Sequence, residues 1–245
     1  MKSFFIQVFN LLLHKPLFNA LLLLYLYLPG HDFGIAIIVL TIIIRIILYP
    51  LMLKSIKSQK ILSELQPKIQ EIQQKYKNDK EKQTREMMTL YQRKKINPLG
   101  SLLTFLLQFP ILVALYRVFW SGLSPELLQT HRYNFVPNPG TISPLFLGMI
   151  NLASPNLILA VLAGILQFLQ SKMLTPSQLS SQKKDKMSQF SNRMQKQMLY
   201  FFPVFTILIL WRLPSAVGLY WIITSLFSIF QQYLIFKKPT YAQSG

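Results

Sequence analysis

Apolar residues gather into blocks of membrane length, separated by basic stretches whose apolar positions keep a helical period. The first uninterrupted block covers 33–53, close to the ~20 residues that a helix needs to cross a bilayer. A second, 97–119, opens at Asn97-Pro98 and contains Pro110. The third covers 156–173. The fourth, 198–212, has Pro203 near its start, and Leu213-Pro214-Ser215 then reverses the chain into the fifth, 216–236. The pattern predicts an all-α polytopic membrane protein with five transmembrane helices. Blocks three and four are short, a mismatch that bilayer thinning or tilted packing relieves.

Two regions outside these blocks are also periodic. Residues 1–32 are apolar but interrupted at His14-Lys15-Pro16, and 17–28 make only about 18 Å of helix. This predicts an interfacial amphipathic segment on the extracytoplasmic side, with Pro16 breaking or starting a helix. It has no small-x-small cleavage site, so it is expected to stay in the mature protein. In 54–96, Ile61, Leu65, Ile69, Ile72 and Tyr76 recur at three- and four-residue steps, Asn78-Asp79 offers a turn, and Met87, Met88, Leu90 and Tyr91 follow. This is a predicted helical hairpin, kinked at Pro67.

Charge orients the blocks. Residues 54–95 hold 12 Lys/Arg against five acids, and 172–197 hold six, while 120–155 has Arg132 alone and the last reversal only Arg212. The positive-inside rule then places the hairpin 54–96, the loop 174–197 and the tail 237–245 in the cytoplasm, with the N-terminus and 120–155 outside. The net charge of +18 fits anionic lipid headgroups, and it equally fits ribosomal RNA or acidic proteins, without specificity for a nucleic acid sequence. With no cysteine, disulfides, thiolate metal sites and cysteine nucleophiles are excluded.

Within this frame Arg45 stands out, lying nine residues before Lys54 inside "TIIIRIILYP". Its Cα is expected about 13 Å from the cytoplasmic boundary, where insertion of an arginine costs about 2.5–3.5 kcal/mol. None of the eight acids (Asp32, Glu64, Glu71, Asp79, Glu81, Glu86, Glu126, Asp185) lies in a predicted span. An unpaired charge there calls for water. Polar stripes supply walls for a wet groove: Thr41, Arg45 and Tyr49 on span one; Ser101, Thr104 and Gln108 on span two; Gln167 and Gln170 on span three. Span five adds Tyr220, Thr224, Ser228, Gln231 and Gln232, with Trp221 adjoining. Taken singly, such residues are more often interhelical glue. No HExxH pair, GxSxG elbow or Gly-rich phosphate loop occurs, so neither enzyme chemistry nor a cofactor or metal is expected.

Four stretches, "TIIIRIILYPL", "LQPKIQEIQQKY", "EMMTLYQRKKINPLGSLLTFLLQFPILVALYRVF" and "LPSAVGLYWIITSLFSIFQQYLI", resemble the YidC/Oxa1/Alb3 family of membrane protein insertases. The likeness covers about 34–236 in order. It implies five helices around a hydrophilic groove open to cytoplasm and lipid and closed to the outside. The family's groove arginine falls on Arg45, its threonine on Thr41, its span-two glutamine on Gln108, and a span-five aromatic on Tyr220 or Trp221. The hairpin, with Pro67, Lys68, Lys75 and Lys77, is implicated in receiving clients or partners. Nascent membrane proteins are the implied clients; the ribosome, the signal recognition particle receptor and the Sec translocon are candidate partners. A large periplasmic domain, a lipoprotein cysteine and a long basic tail, each found in some relatives, are not expected for this protein. A bacterial plasma membrane is the expected location. The rival class is a channel or anion transporter with Arg45 as its selectivity charge.

Overall fold

A computed structural model describes residues 2–94, 96, 100–120, 125–174 and 186–237; within these, the side chains of 2, 3, 5, 100–107, 120, 125–127, 186–196 and 198 are not described. The fold is mostly helical. Eleven α-helices occur among the described residues, with one two-stranded antiparallel sheet, β1 (Leu145–Phe146) and β2 (Ile150–Asn151).

The N-terminal rod is α1 (Lys2–Phe9), a π-helical turn (Asn10–His14) and α2 (Lys15–Tyr27) in unbroken succession. Of the two roles expected for Pro16, breaking a helix or starting one, the second is found. The Lys15 N–H donates to Asn10 O, five residues back, and this wide turn leaves Pro16 in the first turn of α2, where its missing donor costs nothing. The segment Ile6–Tyr27 is consequently long and apolar enough to cross a membrane.

Its contacts follow a different line. The Arg117 guanidinium, near the end of α7 (Gly100–Trp120), lies 5.3 Å from the Phe9 ring centroid and donates to Asn10 Oδ1. His14 packs edge-on to His131, which ends α8 (Pro125–His131). Asn19 Nδ2 donates to His131 O at 2.9 Å while its Oδ1 accepts from Tyr133 N at 2.7 Å, and Tyr25 Oη accepts from Ser143 N. Every one of these partners belongs to the end of α7 or to the 120–155 connection. Replacing Asn19 by leucine strips both groups of their partner inside a buried site; the fold should lose about 2–3 kcal/mol, read as a lower melting temperature in detergent.

After the turn at Gly30 and His31, Asp32 starts α3 (Phe33–Ile47), its Oδ1 accepting from Ile35 N. The predicted span 33–53 is not one continuous helix. α3 ends at Ile47, and α4 (Tyr49–Glu64) leaves at 69°, because Pro50 in the first turn of α4 cannot continue the preceding helix. A shorter break at Leu65 precedes α5 (Gln66–Lys75), so Pro67 begins a helix instead of kinking one. α6 (Lys80–Arg93) returns along α5, closing a hairpin on Leu65, Ile69 and Ile96 with Ile61, Leu62, Met87, Leu90 and Tyr91 around them. The turn is where the sequence put it: Asp79 caps α6 through Lys82 N at 2.9 Å. Asp79→Ala should cost about 1 kcal/mol and speed proteolytic nicking between Tyr76 and Lys80.

Three further helices complete the bundle: α9 (Leu157–Leu174), α10 (Lys186–Leu210) and α11 (Ser215–Lys237). α10 begins well before the predicted block 198–212. Gly164 on α9 sits against Ile207, so a small residue lets α10 approach closely. By length and composition three described helices qualify as spans, or four if α3 and α4 count as one bent span; Gln108–Phe119 and Leu199–Leu210 are shorter apolar helices. The main apolar core joins α2, α3, α7, α9 and α11 through residues such as Phe18, Leu22, Ile37, Leu115, Ala163 and Val217. Large apolar side chains on α9 and α10, among them Ile158, Val204 and Leu208, stay exposed, as a lipid-facing surface would.

The 120–155 connection is structured too. The β1–β2 hairpin is tied to α3 by Leu147 N, which donates to Asp32 Oδ2, and to α11 by Ser215 N and Ala216 N, which donate to Ser154 O and Leu152 O.

Candidate functional site

Arg45 lies on the face of α3 that turns inward. Thr41, one turn earlier, shares this face and is equally buried, with its Oγ1 donating to Ile37 O at 2.7 Å. Tyr49, expected on the same stripe, does not join them: the bend after Ile47 starts it on a new helix, where it is exposed. Ile42, Ile43, Ile46 and Ile47 occupy the opposite, exposed face.

α11 answers Arg45 with Tyr220. Its side chain is fully buried, and the Arg45 guanidinium is close enough to interact electrostatically with the phenol. The Tyr220 oxygen also accepts from Gln108 Nε2 of α7. Three helices distant in sequence therefore converge through Arg45, Gln108 and Tyr220. Thr104, one turn before Gln108, lies outside the described side chains. One turn below Tyr220, Thr224 is buried on the same side of α11.

Trp221 is set apart from this group. It is half-buried, and its Nε1 donates to Gln167 Oε1 on α9 at 3.2 Å. The two aromatics that sequence alone left in ambiguous register thus take different partners. Tyr220 meets the arginine and Trp221 meets α9.

Charge explains what is unusual here. Arg45 retains only 5% of its possible exposure, so the open, water-washed arginine expected from the sequence is not found. Arg85 and Glu81 form an ion pair on exposed α6, and among the described residues none involves Arg45. A buried guanidinium facing a neutral phenol and an amide is incompletely compensated. It remains a strong, pre-aimed attractor for an anion.

The basic hairpin presents its charges differently. Lys68, Lys75 and Lys77 are exposed, and Pro67 opens α5. Lys75 Nζ and Lys82 Nζ lie 5.4 and 5.6 Å from the Tyr76 ring centroid, which holds two cations at the hairpin tip. The hairpin and the Arg45 cluster are separate features.

Sequence reasoning missed two residues. Asn19, which clamps the N-terminal rod, showed only as one amide in an apolar helix. Ser225 is buried beside the span-five stripe, and its spacing of seven from Gln232 was the available signal.

This arrangement has relatives. A family model described as "60Kd inner membrane protein" matches residues 24–242. The chain belongs to the YidC/Oxa1 family of membrane protein insertases. It is similar to the membrane protein insertase YidC of Fusobacterium nucleatum, 41% identical over 84% of this chain and 87% of that protein. The YidC of Clostridium tetani is 38% identical over 85% of this chain and 84% of that protein. Against the YidC of Geobacter metallireducens, 35% identical, the match takes in 95% of this chain and 38% of the longer protein. The family match thus takes in the hairpin and all the helices that build the Arg45 cluster.

Proposed function

We propose that this protein inserts other proteins into a membrane, receiving a client's hydrophilic segment at Arg45 and releasing its apolar helix into lipid. The observation that carries the proposal is the buried Arg45, which has no ion-pair partner among the described residues and lies beside Tyr220, itself bonded by Gln108, between α3, α7 and α11. An acidic group in the client would supply the missing counter-charge halfway across. The cluster is closed around Arg45, so on this reading a client displaces Gln108 and Tyr220 contacts as it enters a groove lined by Thr41, Thr104, Gln108, Gln167, Tyr220, Trp221 and Thr224.

The proposed topology has five spans: 33–53 bent at Leu48, 97–119, 156–173, 198–212 and 216–236. The hairpin 54–96, the loop 174–197 and the tail 237–245 are cytoplasmic. The N-terminal rod lies along the extracytoplasmic surface, which its contacts with Arg117, His131, Tyr133 and Ser143 support over its crossing the bilayer. A bacterial plasma membrane is the proposed location.

Insertion needs no covalent step and no cofactor. A client span of 20 leucines or isoleucines gains about 0.3–0.6 kcal/mol per residue on entering lipid. The exposed hairpin lysines are proposed to meet anionic lipid and the ribosome, with the signal recognition particle receptor and the Sec translocon as further partners.

The test is reconstitution into sealed liposomes with a single-span client bearing an acidic N-terminal segment. Protease-protected client without ion leak is the expected result. Anion conductance without protected client would replace this reading by a channel.

A further inference from the structure

The tip of the β1–β2 hairpin is apolar where its backbone favours the opposite. Met149 N–H donates to Phe146 O at 3.1 Å and closes a turn whose central residues both have positive φ, 51° at Leu147 and 69° at Gly148. Glycine, asparagine and aspartate dominate such turns, because a larger side chain is strained in the left-handed region. Leucine nevertheless stands at 147 with 57% of its surface exposed, and Met149 beside it is 80% exposed. The bond from Leu147 N to Asp32 Oδ2 uses only backbone, so it accounts for the turn and not for the leucine. Phe146 and Ile150 pack against the main core, which leaves Leu145, Leu147 and Met149 as the outward side chains.

The hairpin's ties fix its depth. Asp32 caps the start of α3, Ser215 and Ala216 open α11, and all three bond the hairpin or the residues just after it. Asn156 Oδ1 then accepts from Ile158 N and Leu159 N and caps α9. In the proposed topology these three helix starts lie at the outer boundary of the bilayer, and the tip is level with them. Exposed apolar surface resumes at Leu157 and Ile158 on α9. The sequence has no charged residue between Arg132 and Lys172. A protein partner is usually fixed in register by a hydrogen-bonding and charged rim, which this tip does not offer. A lipid surface asks for nothing but apolar area at the right depth.

We infer that Leu147 and Met149, with Leu145, dip into the outer leaflet where headgroups meet acyl chains and anchor the extracytoplasmic cap to lipid. The inference rests on the five-span topology proposed above. Burial in lipid explains why a strained leucine is kept where asparagine would fit the backbone: strain persists where function requires it. The anchor also holds the hairpin's ties to α3 and α11 at a constant depth.

Because the chain has no cysteine, Met149→Cys and Ile158→Cys each give one labelling site for an environment-sensitive fluorophore. Each full-length labelled protein is reconstituted in phosphatidylethanolamine–phosphatidylglycerol liposomes. It is then quenched either by iodide on both sides or by lipid bearing a nitroxide near the headgroup end of an acyl chain. The label at 149 should be quenched by iodide about fivefold less than the free dye in water, and by nitroxide lipid to within about twofold of the label at 158. Leu147→Asn should hold or raise the melting temperature in detergent, since asparagine suits a φ of 51°. Iodide quenching at 149 equal to that of the free dye overturns the inference. So does shielding from both quenchers, which would put another protein on the tip, or a lowered melting temperature for Leu147→Asn, which would make Leu147 a packing residue. A label at 158 that nitroxide lipid does not quench would overturn the placement of span three, and with it the topology beneath the inference.

Discussion

Replacing Arg45 by alanine is expected to cut insertion of an acidic-tailed client about tenfold, or ~1.4 kcal/mol, read as protease-protected product in sealed liposomes. Lysine should restore part of it, since a charge returns but the planar, several-pronged donor set does not. The same Arg45→Ala change should raise the melting temperature. Its charge is buried, no acid among the described residues pairs with it, and removing such a group relieves desolvation. Opposite signs in the two assays separate a binding residue from a structural one. Thr41→Glu gives the complementary case: one turn away on the same face, a carboxylate would occupy the guanidinium and compete with the client. It should lower insertion as alanine does. Full activity of the alanine variant with several clients would end the groove-charge mechanism.

The second large effect is on stability. A methyl group added at Gly34 would run into the Phe146 ring and lie 2.7 Å from its Cβ. Swinging the ring away does not help, because the Cβ itself is too close. The β1–β2 hairpin must therefore move, pulling Leu147 N from Asp32 Oδ2 and straining the ties from Leu152 and Ser154 to the start of α11. Gly34→Ala should cost about 1–3 kcal/mol, or roughly 2–12 °C of melting temperature in a chain of this size. Alanine at Gly140, with open space around it, also meets a positive φ of 69° and should cost less than 34 by the absence of any clash. An unchanged melting temperature for Gly34→Ala would mean that the hairpin is not docked on α3.

What links these results is a division between two ends of one bundle. The end made by the N-terminal rod, α8 and the β-hairpin is closed by specific hydrogen bonds through Asn19, Asp32 and Ser215. In the interior beyond it, Arg45 has no ion-pair partner among the described residues.

Hydrophobic spacing by itself determined most of the helices and the hairpin 54–96 with its turn at Asp79, and composition left the apolar block around Arg45 without an acid. These are local or compositional properties: periodicity marks the buried face of each helix, and a missing residue type cannot be restored by folding. Motif likeness fixed the family, which the matched residues 24–242 bear out. Packing decided the rest. Pro16 and Pro50 have the same backbone chemistry, yet one is absorbed beside a π-helical turn and the other bends the chain by 69°. Which outcome follows depends on how neighbouring turns can rearrange. Likewise, adjacency in sequence gave Tyr220 and Trp221 equal claims on the arginine, and only the approach of α3, α7 and α9 separated them.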